Sequence, residues 1–416
     1  MDAAVRLDHA LVAMESANAV HAMLELSFPE APGTDQRAPL HVALVLDRSG
    51  SMAGEKLEAT KACAAHLVRR LRLDDELAVV AFDDQVTLVA PLAGVDPDRL
   101  SAAIDGIWPG GSTNLSGGWL KGLEELGRAT GDGPRAVVLL TDGQANVGVV
   151  EPARLVAMTS GARGTGALTS TIGFGDGFDE ELLSDMADAG GGNAHFAAGP
   201  EDAPAIFAEE FDGLASTVAQ NVSVEVRPGD DVEVLAVLND HPATPVPGGL
   251  QLALGDAWGG DHRRIVLRLG IPAVAELGPR KVADVCIRWT DVTGVPALHE
   301  RTLPVLVNVA PGEAIGPDDV DGRVVEEVIV LEAAEAEREA RRHADLGDYG
   351  TAHALLTSSA EHLRGCAPMS LRAQELLDQA EAMDASGALM SPTTWTARSS
   401  KDLHYRSRKT TRRRKP

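Results

Sequence analysis

The chain reads as an α/β protein: a doubly wound, Rossmann-like parallel sheet, then an antiparallel β-sandwich and a C-terminal helical hairpin. Three observations predict this. In the first half, short apolar runs each end in a polar loop and lead into residues at helical spacing, the rhythm of βαβ units. After about residue 216 the runs shorten and alternate with polar residues, as in an antiparallel sheet with one face buried. From residue 322 the chain becomes rich in Ala, Glu and Arg with a helical period.

Residues 40–46 (LHVALVL) form an apolar run suited to a strand buried on both faces. Asp47-Arg48-Ser49-Gly50-Ser51 follows as a polar loop, and Leu57, Ala64, Leu67, Val68 and Leu71 then share one helical face. Residues 77–82 read as the second strand, 98–107 and 115–129 as helices, 136–140 and 168–172 as two more buried strands, and 179–187 and 203–219 as helices. Five short strands are expected at 232–238, 250–254, 263–269, 282–289 and 303–309, with Val222, Val224 and Val226 alternating on another. Residues 17–28 alternate in the same way although they precede the α/β region, which predicts that the α/β domain is inserted into the sandwich. Leu346-Gly347-Asp348-Tyr349 marks a helix–turn–helix connector, and one such hairpin needs a neighbour to cover its apolar face.

These patterns divide the chain into an N-terminal sandwich strand (1–38), the α/β domain (39–215), the sandwich (216–312), a helical hairpin region (322–385) and a basic tail (386–416). The tail is expected to be disordered because its apolar content is low.

Composition narrows the function. The 416 residues are 44% hydrophobic and 24% charged, ordinary for a water-exposed protein, but only 3% aromatic, so the cores rest on Ala, Val and Leu. A net charge of −25 argues against nucleic-acid binding by the main body. Residues 398–416 oppose that charge, with nine Lys or Arg against one Asp. Three readings stay open for this tail: a solvated end, a segment that folds back on the acidic body or binds an acidic partner, or a contact to nucleic acid through Arg406 to Lys415. Thr410 and Thr411 in that basic setting are also candidate phosphorylation sites. Cys63, Cys286 and Cys366 are far apart and show neither zinc spacing nor a disulfide framework. No signal peptide or membrane span is read from the sequence, so the expected compartment is the cytoplasm.

Ligands of doubly wound sheets bind in the loops at the carboxyl ends of the strands. Three polar segments fall there: Asp47-Arg48-Ser49-Gly50-Ser51, Gly110-Gly111-Ser112-Thr113-Asn114 and Thr141-Asp142-Gly143. Carboxylates and hydroxyls are hard oxygen donors, suited to Mg²⁺, Mn²⁺ or Ca²⁺ rather than zinc. In order and spacing the three segments resemble the metal-ion-dependent adhesion site of von Willebrand factor A (VWA) domains. The run from Ile107 to Leu115, with the flanking sandwich, is most similar to bacterial relatives of inter-α-trypsin-inhibitor heavy chains. The resemblance implies that Asp47, Ser49, Ser51, Thr113 and Asp142 hold one divalent cation, whose open position takes an Asp or Glu of a partner protein. It implies a non-enzymatic interaction module. The alternatives are a Mg²⁺-dependent hydrolase and an RNA-associated protein acting through the tail.

Other motifs carry less. Gly173-Phe174-Gly175-Asp176-Gly177 lacks full dinucleotide-loop spacing and reads as a tight turn. Asp83 and Asp84 read as a solvated loop, and Cys63 as a core residue of the first helix.

Overall fold

The computed structural model describes residues 1–33, 37–131, 133–316 and 319–412. Three strands come first: β1 (Asp2–Leu7), β2 (Leu11–Ala13) and β3 (Asn18–Ser27). The α/β domain follows as β4 (His41–Asp47), α1 (Glu55–Val68), β5 (Glu76–Phe82), β6 (Val86–Gly94), α2 (Pro97–Asp105), α3 (Leu115–Leu126), β7 (Arg135–Thr141), α4 (Pro152–Gly164), β8 (Ala167–Phe174), α5 (Glu180–Ala189), β9 (Gly191–Ala197) and α6 (Ala203–Ala215). Its sheet has the order β6-β5-β4-β7-β8-β9, parallel except for β5–β6.

The apolar runs explain the double covering. All seven residues of β4 are buried. Val42, Leu44 and Leu46 pack with α1, α2 and α6 on one face, while Ala43 and Val45 join Trp119 of α3 and Leu155 of α4 on the other. Each such Val or Leu contributes about 1.5–3 kcal/mol on burial. On the second face α3 comes unusually near the sheet. A Cβ at Gly118 would lie 2.5 Å from the Phe82 ring, and one at Gly122 would lie 2.6 Å from Val45. Only residues without side chains fit there, and this close seat positions the loop that precedes α3.

The sandwich comprises two sheets, β1-β3-β14-β11 and β12-β13-β10-β15-β16-β2. Its later strands are β10 (Thr217–Pro228), β11 (Glu233–Val237), β12 (Ala243–Val246), β13 (Gly249–Trp258), β14 (His262–Ile271), β15 (Gly278–Asp291) and β16 (Ala297–Ala310). β3 runs antiparallel to β14 from Asn18↔Ile271 to Ser27↔His262. The α/β domain therefore leaves the sandwich after β3 and returns to it at β10. Val20, Leu24 and Leu26 of β3 enter the same core as Val224, Ile265 and Val285.

The C-terminal region corrects the sequence reading. Four helices are present where a hairpin and a tail are expected: α7 (Gly322–Asp345), α8 (Tyr349–Cys366), α9 (Ala373–Gly387) and α10 (Ala397–Arg412). Val324, Val328 and Leu331 of α7 pack on Met23 and Val266 of the sandwich, which covers the apolar face a lone hairpin leaves open. The expected disorder of 386–416 does not hold for α10; residues 413–416 lie outside the described residues. Low apolar content is offset here by paired charges. Asp188 of α5 receives Arg408 and Arg412, and Glu337 of α7 receives Arg406. Lys401 donates to the Phe178 carbonyl and pairs with Glu180. Tyr405 stacks on Phe196 with 5.5 Å between ring centroids. Asn239 of the sandwich donates to the Thr411 carbonyl and accepts from the Val266 N–H, each at 2.8 Å. The helix thus joins all three parts of the molecule. Of the residues that suggest nucleic-acid contact, Arg406, Arg408 and Arg412 are paired with internal acids.

Candidate functional site

The site forms at the carboxyl ends of β4 and β7, where parallel strands deliver their following loops to one edge of the sheet. Asp47 is the last residue of β4 and is wholly buried. One carboxylate oxygen accepts the Ser49 N–H at 2.7 Å, and the other accepts the Thr141 hydroxyl at 2.5 Å. The Ser49 and Ser51 hydroxyl oxygens are 3.2 Å apart. Ser51 Oγ donates to Asp142 Oδ1 at 2.6 Å. Asp47, Ser49, Ser51 and Asp142 therefore form one continuous hydrogen-bonded cluster.

Thr113 arrives from the loop before α3. Its N–H donates to the Asn146 side chain at 2.8 Å, and its carbonyl accepts the N–H groups of Asn146 and Val147. A Cβ added to Gly143 would stand 3.1 Å from the Thr113 hydroxyl and 3.8 Å from that of Ser51. Both hydroxyls thus converge beside the backbone that follows Asp142. All five residues singled out in the sequence meet at one place.

The loops are interlocked by backbone. Gly50 N–H donates to the Gly111 carbonyl, and Gly110 N–H to that of Arg48. Asp83 corrects its sequence reading, since it is buried and supports the site rather than lying solvated. Its carboxylate accepts the N–H groups of Gln85 and Gly111 and pairs with Arg48. Burial opposes its ionisation, yet these donors prevail and hold its pKa below the usual carboxylate range. A Cβ at Gly110 would collide with this carboxylate at 1.6 Å, so the glycine is needed there. The Gly173-to-Gly177 turn also borders the site, because a Cβ at Gly177 would meet the Asp142 carbonyl at 2.7 Å.

Electrostatics single out the cluster. Burial pushes the Asp47 carboxyl above its ordinary range; the hydroxyl and N–H donors pull it down, and the nearby Asp142 carboxylate adds to the rise. Two acids held together with Asp47 fully buried are a place that favours positive charge. Lys56 supplies one such charge: its ammonium lies 2.5 Å from Asp142 Oδ2. Sequence reasoning does not find Lys56, nor the supporting roles of Thr141 and Asp83, because each acts through a partner distant in the chain. Among the described residues no group of three or more His, Cys, Asp or Glu gathers as a metal centre. The donor set here is instead two carboxylates and three hydroxyls, which fits a hard cation.

Two large apolar residues close in sequence to these loops are exposed. Trp108, two residues before Gly110, is 73% exposed, with Lys61 Nζ 5.5 Å from its ring centroid. Val150, just past the Asn146–Val147 turn, is also exposed.

Comparison with known proteins agrees with the fold. Residues 41–209 match the von Willebrand factor type A domain family, so the chain carries a VWA domain over that stretch. An uncharacterised protein of Synechocystis, sll0103, is 26% identical over 80% of this chain and 80% of its own length. Human inter-alpha-trypsin inhibitor heavy chain H3 is 32% identical over 36% of this chain; the match spans 18% of that relative's length. The solved structure of a von Willebrand factor type A protein from Catenulispora acidiphila covers all of this chain and 97% of its own, with a TM-score of 0.73 at 18% identity. The whole fold, sandwich and helices included, is thus shared with that structure. Domains of this type are typically adhesion or interaction modules.

Proposed function

We propose that the loop edge of the VWA domain binds one divalent cation, Mg²⁺ or else Mn²⁺ or Ca²⁺, and through it a carboxylate of a partner protein. Asp47, Ser49, Ser51, Thr113 and Asp142 would hold the ion. When bound, it supplies a positive centre for an outside Asp or Glu. The observation that carries this reading is the convergence of five hard oxygen donors, one of them a buried carboxylate whose surroundings favour positive charge.

The chain's own residues prepare the place. Thr141 and the Ser49 N–H fix the orientation of Asp47. The Asn146 clamp fixes Thr113, and Asp83 ties the loop before α3 to Arg48. Trp108, exposed two residues before Gly110, offers a large apolar contact, the kind of residue that anchors interfaces. In this reading the module binds without turnover and works in the cytoplasm.

Affinity capture from native lysate tests the proposal, using wild type in Mg²⁺, wild type in EDTA, and Asp47→Ala in Mg²⁺. A partner retained only in the first condition is the expected result. Identical captures in all three would exclude the cation as the point of contact.

A further inference from the structure

The described side chains leave Asp142 already neutralised. Its Oδ1 accepts from Ser51, and its Oδ2 pairs with Lys56 at 2.5 Å. Asp142 is fully buried in that pair, while the Lys56 side chain keeps 35% of its exposure. Lys56 therefore reaches the cluster from the solvent side on a flexible stem.

Its position on the helix runs against the local field. Lys56 stands in the first turn of α1, after the N-cap Gly54, with Glu55 and Glu58 in the same turn. The helix macrodipole favours acids there and disfavours a cation. The ammonium is nonetheless drawn onto Asp142, opposite in sign to the dipole's preference. The turn after β8 leaves room for it. Gly175 has φ +70°, and a Cβ there would touch Lys56 Cε and Nζ at 3.4 Å.

From this geometry we infer that Lys56 is a built-in counter-cation of the metal site, which competes with the divalent ion for Asp142. The inference rests on the metal reading above. With the ammonium in place, the two carboxylates present one net negative charge instead of two. A dication beside Asp142 must either displace Lys56 or tolerate it across a few ångströms. Both weaken loading in the free protein. A partner carboxylate restores the missing negative charge, so cation and partner favour each other's binding. Lys56 thus acts on the metal by position and charge and is not itself a ligand.

Calorimetric titration of the full chain with Mn²⁺ tests this, comparing wild type, Lys56→Gln, Lys56→Arg and Asp47→Ala. Removing one positive charge at this range is expected to tighten Mn²⁺ binding by about tenfold in Lys56→Gln. Lys56→Arg, which keeps the charge, stays near wild type. Melting in EDTA and in Mn²⁺ provides a second readout: Lys56→Gln melts lower without metal and gains more from Mn²⁺ than wild type does. Equal or weaker Mn²⁺ binding by Lys56→Gln, with Asp47→Ala not binding, would overturn the role of Lys56 and leave the metal site standing. Absence of binding by both wild type and Lys56→Gln would overturn both.

Discussion

The loop edge of the VWA sheet and the seam under α10 are both dense in charge, yet they are built in opposite ways. Under α10 the acids are each paired with at least one cation, although Glu337 keeps one oxygen without a hydrogen-bond partner. Asp188 takes two arginines, Glu180 takes Arg341 and Lys401, and Glu337 takes Arg406. At the loop edge, Asp47 has only neutral donors, and Lys56 pairs with Asp142 alone. Pairwise matching closes a surface, because any further ion entering it must break a pair. A buried acid with no cation of its own, as Asp47 is, leaves electrostatic demand that an outside ion can meet. The difference separates a structural joint from a binding edge, although both use the same residue types.

The comparison is most directly broken at Asp188. Asp188→Ala would leave Arg408 and Arg412 with only their longer contacts to Asp240, at 3.5 and 3.8 Å, and losing the closer partner costs up to about 3 kcal/mol. Denaturant unfolding should show this loss, with proteolysis appearing near α10, while Mn²⁺ affinity stays at the wild-type value. Unchanged stability would mean that the seam is not a joint; changed metal affinity would mean that the two regions are coupled.

Acid sharpens the comparison next. Burial, followed by the charges of Arg341 and Arg408, lowers the His404 pKa to about 3, and its Nε2 is 2.9 Å from Ser184 Oγ. The folded chain keeps this ring neutral, whereas the unfolded chain protonates it below about 6.5. Stability from this group is therefore complete above pH 6.5 and is lost as pH falls from there toward 3. At pH 5 the loss is about 2 kcal/mol. His404→Gln should flatten the slope between pH 6.5 and 5 in melting experiments. A slope unaltered by the substitution would place the acid sensitivity elsewhere.

The smallest expected effect is at Trp108. Trp108→Ala should weaken partner binding by about 1–2 kcal/mol and leave the melting temperature unchanged, since the ring is mostly exposed. Unchanged partner affinity would confine recognition to the cation itself.

The fully buried strands β4, β5, β7 and β8 were legible because each is a run of apolar residues with turn signals at its end. β9 was not: Gly191-Gly192-Asn193-Ala194-His195-Phe196-Ala197 is mostly half-buried, and its polar members are satisfied by other elements. Asn193 and His195 both bond to Glu210 of α6. At the site, the five oxygen donors could be named because three segments, in order and spacing, resemble the adhesion site of VWA domains. Their supports could not, since Lys56 lies 86 residues from Asp142 and Thr141 lies 94 from Asp47.

The amino-acid order by itself determined the buried strands β4, β5, β7 and β8, which loops gather at the carboxyl edge, and that the donors there are hard oxygens. Those are local properties, set by hydrophobic period, turn residues and side-chain chemistry within a few positions. The tertiary structure alone decided that a lysine sits on Asp142, that Asp83 is buried, and that a basic, apolar-poor segment becomes a helix seated on three parts of the molecule. Charge pairing acts across space between residues far apart in the chain, and it leaves no periodic trace in the sequence.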